Sequence, residues 1–148
     1  MNEPTLISCL DSMVIQAKMK KDVSHYFKSY STLFTEKLIL EFIMYAVKND
    51  INIEYILENI IHSRISFKVK EEIFNIFFEY NKISFCLYFI NDFKKRSLFK
   101  DDSFFDKELY HNLSRKRKKS YLTLCKPLLS EKTYNFHKSY MYKAVLTY

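Results

Sequence analysis

Five consecutive cations, Arg115-Lys116-Arg117-Lys118-Lys119, are the residues of this chain best suited to chemistry with a partner. Lys and Arg neutralise phosphates, and the planar Arg group meets them bidentately. Tyr110 and His111 precede the run and Tyr121 follows it, and aromatic rings beside cations suit stacking on unpaired bases. Arg115, Lys116, Arg117, Lys118, Lys119 and Tyr121 are therefore expected to meet nucleic acid, or an import receptor that reads such basic runs. The competing reading is a solvated basic loop with no specific partner. Lys94-Lys95-Arg96 forms a second basic group, too distant from the first for a usual bipartite import signal.

Covalent and metal chemistry finds less support. His25, His62, His111 and His137 have no neighbour at metal-ligand spacing, and Cys9, Cys86 and Cys125 are scattered and odd in number. A Cys–His pair such as Cys125 with His137 would have to be assembled from distant positions, and burial makes most such thiols inert. The acidic pairs Glu71-Glu72 and Asp101-Asp102 sit where helices are expected to begin, where the helix dipole favours negative charge. The chain contains no Gly. Phosphate-cradling loops, the dinucleotide fingerprint and the nucleophile elbow all need it. The expectation is a protein that is not an enzyme and has no catalytic residue, cofactor or metal.

Charge and composition divide the chain near residue 92. Met1 to Asp92 carries ten Lys/Arg against twelve Asp/Glu and all the Ile, whereas Phe93 to Tyr148 carries fourteen against five. The front is a slightly acidic apolar scaffold, and the +7 net charge arises wholly from a basic C-terminal segment that also outweighs the front's slight excess of acid. At 148 residues, 48% of them hydrophobic, the chain is expected to be one helical domain over 1–148, with 1–92 and 93–148 as its two parts. No charged signal segment opens the sequence and no apolar run reaches the length of a membrane span. The expectation is a soluble intracellular protein, cytoplasmic or nuclear, with no membrane partner.

The elements that must position these residues read as helices. Leu6, Cys9, Leu10, Met13, Val14 and Ala17 recur at the spacing of one helix face, with Pro4 near its start. Asp22 caps a short segment with Val23, Tyr26, Phe27 and Tyr30 on its apolar side. Thr35 is expected to cap a helix carrying Ile39, Phe42, Ile43 and Ala46, stopped at Asn49-Asp50. Asn52 caps the next, with Ile53, Ile56, Leu57, Ile60 and Ile61. Ser66 precedes Val69, Ile73, Ile76, Phe77 and Tyr80, and Ile83, Cys86, Leu87 and Ile90 continue on a sixth helix. Beyond Arg96, Ser103 opens a capping sequence for a helix with Phe105 and Leu109, Pro127 breaks the chain, and Ser130-Glu131 starts a last helix through Tyr134 and His137.

Glu36–Lys48 aligns with Lys70–Lys82 at an offset of 34, near the period of helical-hairpin repeats, without the small and turn residues such families use. The fold expected is all-α: antiparallel helical hairpins in a short repeat-like stack, followed by a basic C-terminal helical segment. The expected core is Leu10, Val14, Ile39, Phe42, Ile43, Ile56, Leu57, Ile60, Ile73, Phe77, Leu87 and Ile90. Two helices carry apolar residues on both faces, which marks central burial or a covering partner. Phe74, Phe78, Phe85, Tyr88 and Phe89 are accordingly the expected partner-binding residues. The favoured function is a non-enzymatic interaction protein that binds a protein partner or a second copy of itself; the alternative is nucleic-acid binding by the basic segment.

Overall fold

Three hydroxyl side chains start the long helices of the first ninety residues. Thr5 Oγ1 accepts the Ser8 amide at 3.2 Å, Ser31 Oγ the Phe34 amide at 3.3 Å and Ser66 Oγ the Val69 amide at 3.3 Å, satisfying donors a helix leaves unpaired. They open α1 (Leu6–Lys18), α2 (Thr32–Lys48) and, after the short α3 (Leu57–Ile61), α4 (Phe67–Glu79). Next come α5 (Ile83–Arg96), α6 (Lys107–Asn112), α7 (Arg115–Cys125) and α8 (Glu131–Leu146). The structure, a computed structural model, describes residues 4–96 and 105–146, with side chains for 4–95 and 105–140. It is all helical, with no strand among the described residues. Two compact units divide the chain, Met1–Phe89 and Ile90–Tyr148, three residues from the break in composition. Ser103, Asp101 and Asp102 lie outside the described residues.

The same helix ending occurs three times. Lys20 (φ 56°), Asp50 (φ 53°) and Asn81 (φ 62°) are left-handed, and the next amide reaches back five residues: Lys21 to Gln16, Ile51 to Ala46 and Lys82 to Phe77. This is the closure that glycine usually supplies at a helix C-terminus. Asn and Asp tolerate the conformation through their short polar side chains; Lys20 has no such help. Immediately after the first two of these turns, Asp22 Oδ1 accepts the Ser24 amide at 2.9 Å and Asn52 Oδ1 the Glu54 amide at 3.0 Å. Each opens a single 3₁₀ turn, Ser24–Phe27 and Glu54–Ile56, the second leading into α3.

Contacts across these segments set helix direction. Gln16 Nε2 donates to Tyr26 Oη at 3.1 Å and Cys9 Sγ to Tyr30 Oη at 3.7 Å, so the chain after α1 runs back along it. Beyond the end of α2, Tyr55 Oη donates to Lys21 O, beyond the end of α1. The α2 and α4 helices meet at both ends, through Ser66 N to Glu36 Oε1 at 2.8 Å and Lys82 Nζ to Asp50 Oδ1 at 2.9 Å. So α1, α2 and α4 run in one sense, and the intervening segments return. The α4–α5 hairpin is antiparallel: Phe77 packs on Phe85 and Phe89 at ring distances of 5.3 and 5.9 Å, and Cys86 Sγ donates to Phe74 O.

The interior of the first unit corrects several expectations. Val14, Ile39, Phe42, Ile43, Ile56, Leu57, Ile60, Ile73 and Phe77 are buried as expected, and so is Ile90 of the second unit; Leu10 is half-buried and Leu87 is 47% exposed. On α5 the inward face is Phe85, Cys86, Phe89 and Ile90, turned away from the expected one through Ile83 and Leu87. Both faces have helical period, and the one carrying two Phe rings removes more apolar area from water. Thr35 is a buried position one turn inside α2, its Oγ1 without a hydrogen-bond partner, because Ser31 caps four residues earlier. Between α2 and α4 the buried positions coincide at an offset of 31, with Leu38, Phe42, Ile43, Ala46 and Val47 falling on Val69, Ile73, Phe74, Phe77 and Phe78. The offset of 34 matches them less well.

Candidate functional site

The basic run is not a loop. Ser114 Oγ accepts the Arg117 amide at 3.4 Å and caps α7, so all five cations fall in its first turn and a half with no acidic residue beside them there. That placement opposes the helix dipole, whose positive end repels cations, and concentrates positive potential at one helix end. At 100° per residue the run wraps most of the way round α7. Arg115, Lys116 and Lys119 are exposed, and Arg117 and Lys118 are half-buried. Lys118 Nζ lies 5.6 Å from the Tyr110 ring centre. Lys126, exposed just past the helix end, lies 5.0 Å from the Tyr134 ring centre, with Lys138 5.8 Å from the same ring.

The opposite side of α7 closes an aromatic cluster. Tyr121 is fully buried, and Phe105, Tyr110 and His137 are nearly so. Phe105 stacks at 5.2 Å on Tyr121, 5.0 Å on Tyr110 and 4.8 Å on His137. Tyr121 Oη accepts the Asp106 amide at 2.9 Å. Asp106 in turn caps α6, its Oδ1 accepting the Leu109 amide at 3.0 Å, in the role the sequence suggested for Ser103. Burial pushes the Tyr121 phenol well above its usual ionisation range, and raises Tyr110 for the same reason.

Of the residues expected to meet nucleic acid, Arg115, Lys116 and Lys119 share an open cationic face. Tyr121 belongs to the interior and has no face to offer a base, and Tyr110 is buried with it; His111 is the flanking ring that is exposed. Tyr121 points inward because α7 needs apolar contacts at Tyr121, Leu122 and Cys125 once it has entered as a helix.

Of the expected partner-binding residues, Phe74, Phe78, Phe85 and Phe89 are buried, and Tyr88 is half-exposed with its hydroxyl donating to Glu54 Oε1 at 3.2 Å. While this fold persists, those four Phe rings are not on a surface. Among the described residues the open apolar positions are elsewhere, and they include Ile83 and Leu87 on α5, Phe136 and Tyr140 on α8, Leu33 and Phe67 at the starts of α2 and α4, and Ile7, Ile15 and Met19 in and just beyond α1. The α5 pair lies on the helical-period face that the sequence shows, of which Leu87 is an expected core position and Ile83 is not.

Cys9, Cys86 and Cys125 are buried thiols, and burial pushes Cys86 up to about 12. Cys125 lies against the Tyr121 hydroxyl, while the His137 ring packs on Phe105 and Tyr110. His25, His62 and His111 are exposed. Among the described residues no group of three or more His, Cys, Asp or Glu could hold a metal ion, and no helix is long and apolar enough to cross a membrane. Comparison of the chain with protein-family models, curated proteins and solved structures finds no match.

Proposed function

We propose that this chain is a non-enzymatic helical interaction protein whose α7 carries a binding face for a polyanion, nucleic acid being the class its chemistry fits. The observation behind this reading is the exposed set Arg115, Lys116 and Lys119, presented on a capped helix at the end where cations are least comfortable. A helix that keeps positive charge against its own dipole gains when an anion neutralises it. Three phosphate contacts give a log–log salt slope of about −2 on single strands and about −2.7 on duplex. Such contacts position a backbone without reading sequence. Fluorescence anisotropy with labelled oligonucleotides over a salt series tests this. Substituting Arg115, Lys116 and Lys119 together by Gln abolishes binding to every sequence and leaves the helical spectrum intact. Affinity that survives the triple substitution rejects the reading, and nuclear entry of a reporter fused to residues 110–122 would assign the run to an import receptor instead.

A protein partner is the second reading, favoured by the open apolar pair Ile83 and Leu87. It sits on a scaffold read as a short stack of hairpins, because α1, α2 and α4 run in one sense and their left-handed closures recur thirty and thirty-one residues apart.

A further inference from the structure

The tyrosines that flank the basic run in sequence are closed to a base, but a ring on the next helix is not. Tyr134 of α8 is half-buried, and the exposed Lys126 and Lys138 hold their ammonium groups 5.0 and 5.8 Å from its ring centre. Lys126 shares a face with the run itself. It keeps helical backbone just past α7 (φ −47°, ψ −45°), and at 100° per residue Arg115, Lys119 and Lys126 fall within about 40° of one another. The stripe they form is about 16 Å long and ends against Tyr134.

Nearby carboxylates do not cancel this charge. The sequence has no Asp or Glu between Glu108 and Glu131, and from Phe105 to Tyr140 nine Lys/Arg stand against Asp106, Glu108 and Glu131. Glu131 is exposed one turn before Tyr134, so it faces the stripe, outnumbered by Lys126 and Lys138 beside the same ring. The more exposed rings, Phe136 and Tyr140, stand about 160° and 120° round α8 from Tyr134, away from the stripe. We propose that the polyanion of α7 is single-stranded nucleic acid, its phosphates along Arg115, Lys119 and Lys126 and an unpaired base stacked on Tyr134. The two ammonium groups leave the ring for phosphate oxygens and the base takes their place, so each cation keeps a partner and the ring keeps a contact on its face. A base inside a duplex has no open face to give Tyr134.

This inference rests on the polyanion reading and names the form of the strand. Fluorescence anisotropy on the full chain tests it with three labelled ligands of about twelve nucleotides: a thymidine strand, a strand of abasic sites and a duplex. Wild type is expected to bind the thymidine strand about fivefold or more tighter than the abasic one, the effect of one stacked base. Tyr134→Leu removes that preference and leaves affinity for the abasic strand and the duplex unchanged, whereas Tyr134→Phe keeps it. Lys126→Gln with Lys138→Gln reduces the log–log salt slope on the thymidine strand by about 1.4 while circular dichroism stays unchanged, because both side chains are exposed. Equal binding of thymidine and abasic strands by wild type, a folded Tyr134→Leu that keeps the preference, or a slope the lysine pair does not move overturns the proposal. If binding is then still lost on substituting Arg115, Lys116 and Lys119 by Gln, the broader reading stands; no binding of any of the three ligands rejects both.

Discussion

Tyr121 and Asp106 are joined by a hydrogen bond of 2.9 Å from the Asp106 amide to the Tyr121 hydroxyl, which ties the start of α6 to the middle of α7. Removing the hydroxyl leaves the ring packing on Phe105 in place and deletes that tie together with the contact between the hydroxyl and Cys125. Tyr121→Phe is expected to cost about 1 kcal/mol, read by denaturant unfolding, with faster exchange of the Asp106 amide hydrogen. An unchanged midpoint and unchanged exchange would show that the bond contributes nothing net.

The same tyrosine sets an alkaline limit. Its burial keeps the phenol neutral beyond the pH near 10 at which an unfolded tyrosine ionises. That contribution to stability is complete below about pH 10 and is lost as pH rises further, because only the unfolded chain then gains by giving up the proton. Ultraviolet titration should show Tyr121 ionising only with unfolding, and Tyr121→Phe should flatten the alkaline fall in stability.

Asp50 acts at the other end of the scale. Its hydrogen bond from Lys82, together with the ammonium charge, holds the carboxyl below its ordinary value. Stability from the pair is therefore present above the usual carboxylate range, near pH 4, and is lost as pH falls through the lowered folded value. Carbon-detected titration should find the Asp50 carboxyl protonating below the ordinary aspartate range, and Asp50→Asn should lie closer to wild type in acid than at neutral pH.

Lys20 is the left-handed helix terminus with no side-chain reason to be there. Lys20→Gly is expected to stabilise the fold by about 0.5–1 kcal/mol, the relief of a β-carbon clash outweighing the added freedom of the unfolded chain. Asn81→Gly should gain less, since Asn tolerates that region. Chemical denaturation of the two variants side by side decides it; equal gains would remove the distinction.

Phe77 packs against both Phe85 and Phe89, so Phe77→Ala is expected to lower stability by about 3–5 kcal/mol, the scale of a large-to-small change in a closed core. A variant that melts like wild type would show that the α4–α5 core relaxes around the lost ring.

Helix existence was legible in the sequence wherever one face alone was apolar. Ser66, Asn52 and Ser130 announced their helices, and the left-handed stops at Asp50 and Asn81 fell where Asn-containing connectors stood. Phase failed where both faces were apolar. On α5, positions 83, 86, 87 and 90 and positions 85, 86, 89 and 90 satisfy helical period equally well, and only three-dimensional packing chose the Phe-bearing set. The basic run failed differently. Cations at a helix start contradict local preference, so the sequence does not mark Ser114 as a cap, and nothing in the run itself shows that Tyr121 lies behind a helix.

The contacts that tie the first unit together span sequence separations of 30, 32, 34 and 34 residues: Ser66 to Glu36, Lys82 to Asp50, Tyr55 to Lys21 and Tyr88 to Glu54. No strand waits for a distant mate among the described residues. Each segment finds its neighbour in the stretch synthesised just before it, so this unit can assemble progressively as it leaves the ribosome. None of these four ties reaches further back than 34 residues, and chains rich in local contacts fold rapidly.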